Sequence, residues 1–166
     1  MFDYYQLTVP VYARALKQLA HLLDKAAEYA AAKKVSDETM LALRLAPDML
    51  NLTKQIQIAC DSAKFAVARL SGTVAPKHED NEKSFSELQA RIAATLRFVE
   101  SLPQAAFVDA EKKTITLSFM PDNPMTAEFY LLSFVQPNFY FHVTTAYAIL
   151  RSNGVEIGKQ DYIGAV

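Results

Sequence analysis

Histidine is the side chain best suited to hold a metal or move a proton near neutral pH, and this chain has three. His21 falls on the polar side of a first helical segment, beside Asp24 and Lys25, and His78 sits in a polar stretch. Both read as solvated surface residues. His142 is different. At about 100° per residue, Leu131, Asn138, His142, Thr145, Ala146 and Ile149 share one mostly apolar face of the last helical segment. His142 is therefore expected to point inward, with Asn138 one turn before it. A buried imidazole needs partners, so it is either a hydrogen-bonded core group or a ligand or base at one end of a helical core.

The second long helix offers possible partners. Gln57 and Asp61 share one of its sides, with Lys64 one turn on, and Gln55 lies at the edge of its apolar stripe. Taken plainly, Gln57, Asp61 and Lys64 make a surface hydrogen bond and an ion pair worth ~0.2–0.5 kcal/mol. Cys60, beside the stripe with no adjacent base in sequence, reads as a small core hydrophobe. The serines lack a nucleophile-elbow sequence. No residue earns a catalytic role from these patterns.

Composition removes whole classes of function. The chain has 166 residues, 51% hydrophobic and 21% charged, which suits one domain over 1–166 with a sizeable core. Lys and Arg number 17 against 18 Asp and Glu, a net charge of −1, so neither nucleic acid nor an anionic membrane is an expected partner. No apolar run is long enough to span a bilayer, and Met1-Phe2-Asp3-Tyr4 lacks the basic start of a signal peptide. The expected compartment is the cytoplasm. One cysteine excludes an internal disulfide framework and a thiolate zinc cluster. Four glycines leave no phosphate-cradling loop.

Helical periodicity dominates the chain. From about Val9 to Ala32, Ala13, Leu16, Ala20, Leu23, Ala27 and Ala30 form one stripe, rich enough in alanine to let a neighbouring helix approach closely. A polar connection, Lys33 to Glu38, follows. A second helix is expected from about Pro47 to Ser71, with Leu52, Ile56, Ala59, Ala63, Ala66 and Leu70 inward and Gly72 as its cap. Thr73 to Lys83 reads as a loop. Ser84 and Glu87 form a capping box for a third helix carrying Phe85, Leu88, Ile92, Thr95, Leu96 and Val99 and ending before Pro103.

The period then changes. Thr114 to Phe119 alternates polar and apolar residues, and Ala106-Phe107-Val108 precedes it across a polar turn, so these two segments are expected to pair as a hairpin. Asn123-Pro124 signals the start of the last helix, which runs to Asn153-Gly154 and is kinked or divided at Pro137. The tail from Val155 lies along the surface. The expected fold is all-α: a four-helix bundle with a small β-hairpin inserted between helices three and four. Phe129, Tyr130, Phe134, Phe139, Tyr140, Phe141 and Tyr147 make the last segment densely aromatic, as suits core, a pocket wall or a subunit interface.

Asn138-Phe-Tyr-Phe-His142 leads through Arg151 to Gly154, with arginine nine residues after the histidine and glycine three further on. This resembles the last helix of the DinB/YfiT-like superfamily of bacterial four-helix proteins. Gln55-Ile-Gln57-Ile-Ala-Cys-Asp61-Ser-Ala-Lys64 and Ala-Arg69-Leu-Ser-Gly72 extend the likeness to nearly the whole chain, as an uncharacterised branch of that superfamily. The resemblance implies a DinB-like bundle that often pairs as a homodimer. In distant members it also implies a divalent metal, zinc or nickel, held by one histidine on the second helix and two on the last. This chain keeps His142, has Asn138 in place of the other, and has no histidine on the second helix. The expected protein is a small-molecule binder with a diverged, metal-free site at Asn138, His142, Gln57 and Asp61. The alternative is a metal-dependent DinB-like enzyme, such as a thiol-dependent transferase or hydrolase, with His142 as a ligand.

Overall fold

The computed structural model describes residues 3–165. Four long helices carry the fold: α1 (Val9–Lys33), α3 (Leu52–Ser71), α4 (Phe85–Ser101) and α6 (Gln136–Ser152). Short helices α2 (Asp37–Leu41), α5 (Ala127–Phe129) and α7 (Lys159–Ile163), with strands β1 (Thr114–Leu117) and β2 (Met120–Thr126), complete it. α3 packs chiefly on α6 and α4, and α1 chiefly on α4. The bundle with its inserted hairpin is the architecture expected from the periodicity.

The buried side of α1 is Val9, Tyr12, Ala13, Leu16, Leu19, Leu22, Leu23, Ala26 and Ala30, while Ala20 and Ala27 are half-buried. The stripe is thus centred closer to the leucines than the alanine spacing suggests, because a leucine removes more apolar area from water. α2 breaks the expected polar connection; Ser36 caps it, its Oγ accepting from the Thr39 amide at 3.2 Å. α3 begins at Leu52 rather than near Pro47. Asn51 accepts from the Lys54 amide at 3.0 Å and is the true cap, and residues 42–50 remain outside the helix. At the other end Gly72, at φ 80°, closes α3 in the left-handed conformation that glycine adopts without strain.

The hairpin pairs differently from expectation. β1 pairs antiparallel with β2, Thr114 opposite Thr126 and Ile115 opposite Met125, with a bulge before Leu117 meets Met120. Ala106-Phe107-Val108 forms no strand, since Pro103 opens a tight 3-10 turn over Gln104–Phe107. Asn123-Pro124 does not start a helix either; it lies in β2, an edge strand where a residue without N–H is tolerated. Thr126 provides the cap instead, its Oγ1 accepting from the Phe129 amide at 3.2 Å. From Ala127 the chain is continuously helical to Ser152. Pro137 neither divides nor ends it, because a π-helical turn over Tyr130–Val135 precedes the proline and accommodates its missing N–H and ring.

Candidate functional site

α3 is buried on nearly every side, so polar residues of its sequence become interior groups. Stepping by about 100° per residue, Gln55 and Ser62 fall together on one face, and Gln57, Asp61 and Lys64 fall on the opposite one. The first face meets α6; the second meets α4 and the loop 73–83.

On the α6 side the contacts at Ser62 and Gln55 are neutral, and one cation, Arg69, donates to the Tyr130 hydroxyl at 2.8 Å. Tyr130, Asn138 and His142 meet Arg69, Ser62 and Gln55 in that order, so the last helix runs antiparallel to α3. Asn138 Nδ2 donates to Ser62 Oγ at 2.9 Å. His142, 7% exposed, has Nδ1 2.7 Å from Gln55 Oε1, and Gln55 Nε2 donates to the Leu50 carbonyl at 3.0 Å. That second bond orients the amide and makes Oε1 the acceptor, so His142 carries its proton on Nδ1. Burial lowers its pKa and keeps the ring neutral. Nε2 then holds a lone pair with no partner among the described residues, and it is not sealed from solvent. Beside it, at a ring distance of 5.2 Å, Phe141 lines an open, largely apolar groove of about 390 Å³ with Leu45, Tyr140, Thr144, Thr145 and Ala148.

The opposite side is charged. Arg91, 4% exposed on α4, donates Nη2 to Asp61 at 2.9 Å and Nη1 to Asp80 and Glu82 at 2.7 and 2.9 Å. Lys64, 2% exposed, lies 2.8 Å from Asp61. Gln57 donates to Glu82 at 2.7 Å. Burial opposes ionisation of Glu82, but the hydrogen bonds from Arg91 and Gln57 win and hold its carboxyl below the usual range. Burial lowers the His78 pKa, and Lys64 and Arg91 lower it further.

The expected ligand-binding residues therefore separate. Asn138 and His142 share a face with Gln55 and Ser62, while Gln57 and Asp61 sit across α3 from them. Gln57, Asp61 and Lys64 are no surface trio, since α4 and the loop cover them. His78 is not a solvated loop residue: its side chain is 11% exposed and turned inward. His21 is exposed as expected and lies 2.8 Å from Asp161. Arg91 carried no signal, because an arginine between apolar positions looks like any solvated side chain. Cys60 is buried beside Thr95 and Arg91, and burial pushes its thiol up to about 12, which suits a core residue and no nucleophile.

Among the described residues no three His, Cys, Asp or Glu side chains gather where they could hold a metal ion. The groups bonded at His142 and Asn138 are an amide and a hydroxyl, poor donors for zinc or nickel. The residues present do not fit the three-nitrogen site of metal-binding DinB proteins.

Residues 4–163 match the model of the family described as "Domain of unknown function (DUF1993)". The chain belongs to that family. A crystal structure of a DinB family member protein from Shewanella denitrificans has the same fold, with a TM-score of 0.93 at 45% identity over 98% of this chain and 92% of that one. This places the DUF1993 chain among DinB-like proteins. No curated protein matches it. No helix among its described residues is long and apolar enough to cross a membrane.

Proposed function

We propose that this DinB-like protein binds a small neutral molecule at the seam of α3 and α6, working in the cytoplasm as a homodimer. The observation that carries the reading is the His142–Gln55–Leu50 chain of hydrogen bonds, which leaves Nε2 a free acceptor on a ring 5.2 Å from Phe141, a residue that lines the groove. A ligand that suits it has an apolar body for Leu45, Tyr140 and Phe141 and one hydroxyl or N–H for Nε2. Asn138 steadies the neighbouring turn through Ser62. Gln57 and Asp61 are too far round α3 to join this site and belong to the charged face.

A melting-temperature titration tests the reading. 4-Ethylphenol should stabilise the unmodified protein progressively, as binding to the folded state requires, and ethylbenzene should do so less. His142→Phe should erase the difference between the two. Equal shifts for both probes, or none, would overturn the site. The alternative, a metal-dependent transferase or hydrolase, requires zinc or nickel at micromolar concentration to raise the melting temperature of the unmodified protein and not of His142→Gln. The dimer is supported by exposed Phe129, Leu132 and Phe141 and a net charge of −1, which does not oppose pairing. Sedimentation equilibrium showing only an 18.5 kDa species would remove it.

A further inference from the structure

Residues 73–83 leave α3 at Gly72 and reach the α4 cap at Ser84 without forming a helix or strand. Side chains hold this loop down. Asp80 and Glu82 bind Arg91, Glu82 also binds Gln57, and Asp80 lies 3.7 Å from Lys54. Between these anchors His78 turns inward, with Nδ1 3.9 Å from Asp61 Oδ1. Both its ring nitrogens are buried, and neither has a hydrogen-bond partner among the described residues.

The groups that face this ring come from three elements. α3 supplies Asp61 and Lys64, with Lys54 and Cys60 along the same helix; α4 supplies Arg91; the loop itself supplies Asp80 and Glu82. Lys77 and Glu79 pair with each other at 2.9 Å in exposed positions. Lys64 already holds Asp61, and Arg91 already holds Asp61, Asp80 and Glu82. Asp61 and Glu82 pull toward a charged ring, but both are already engaged by Arg91, and burial with Lys64 and Arg91 outweighs them. A proton on His78 would add a buried positive charge beside Lys64 and Arg91, an arrangement that low-polarity surroundings penalise heavily.

We infer that His78 is a proton-operated latch: neutral, it lets residues 73–83 lie closed over Asp61, Lys64 and Arg91, and protonated, it swings out and the loop opens. The direction follows from linkage. The closed ring titrates below the ordinary value of 6.5, and an open loop restores that value. Closure is therefore fully favoured above pH 6.5 and weakens as pH falls below it. Glu82, held below the usual carboxylate range, is not the first group to titrate.

Amide hydrogen exchange on the full chain tests the latch, with rates corrected for their intrinsic pH dependence. Between about pH 7.5 and about pH 5.5, protection of residues 73–83 should fall roughly three- to tenfold, since each unit of pKa difference is tenfold in the equilibrium. His78→Gln should abolish that step whatever its baseline, and His21→Gln should retain it. A flat response in the unmodified protein, or an equal step in His78→Gln, would overturn the proposal. Magnetic resonance titration of the unmodified protein gives an independent reading. A His78 midpoint below 6.5 is expected, and one at or above it would overturn the latch.

Discussion

The two polar faces of α3 solve the same problem by different chemistry. Toward α6, amide, hydroxyl and neutral imidazole pair one to one beside a single arginine–phenol bond, with the His142 Nε2 acceptor left free. Toward α4, two cations share three carboxylates, yet Arg91 Nε, Gln57 Oε1 and both His78 nitrogens remain buried without partners. The face with more interactions is the less completely satisfied. A neutral pair needs only one good contact, whereas a buried charge needs several in fixed directions, and crowding them leaves some atoms out. The neutral face thus suits recognition of a guest, and the charged face suits fastening of a loop.

That contrast predicts a ranking of substitutions. Arg91→Met should be the most damaging, because it strands the carboxylates of Asp61 and Glu82 and frees the loop. Breaking a buried ion pair costs about 3–5 kcal/mol, and water contact at Asp61 and Asp80 puts this one near about 3 kcal/mol. Urea unfolding measures it; a loss no larger than that of the His142 variants would dissolve the difference between the faces. His142→Phe should cost roughly 1–3 kcal/mol by leaving Gln55 Oε1 unpaired, and His142→Gln less. The neutral ring is depressed in pKa by burial, so its contribution is full above the ordinary 6.5 and declines as pH falls. The gap between His142→Phe and the unmodified protein should accordingly narrow in mild acid, and a widening gap would contradict a neutral buried ring. His21→Ala, which loses an exposed contact to Asp161, should change stability by no more than about 1 kcal/mol. Exchange confined to α7 should accelerate, and any effect on residues 73–83 would show that the charged face extends further than its contacts.

The bundle is legible in the sequence because an apolar stripe must be buried whatever covers it. Leu52, Ile56, Ala59, Ala63, Ala66 and Leu70 announce their own burial, and so does His142, carried inward by the stripe it shares. Asn51 is hidden by Pro47, a stronger local signal that tertiary contacts override. The hairpin partner is misread because Pro121 and Pro124 disqualify β2 on propensity, although an edge strand tolerates them. The charged face is the least legible region. The spacing of Asp61 and Lys64 is visible, but nothing local says that α4 and a loop cover them. A loop has no period, so the inward turn of His78 leaves no trace in the residues around it.

The π turn at Tyr130–Val135 has a consequence for how this helix tolerates change in length. Tyr130 at the start of the turn and Asn138 and His142 after it all reach α3, through Arg69, Ser62 and Gln55. A π turn holds one residue more than an ordinary one, so it resets the angular phase of everything downstream by about 100°. It works like a vernier between two gear wheels. Deleting one residue inside it would leave an ordinary α turn, with Tyr130, Asn138 and His142 all still on α3. Closing the turn to α geometry at unchanged length would instead rotate Asn138 and His142 off α3, with every side chain of the site still present. Here the number of residues wound into one turn, as much as their identity, determines what faces the seam.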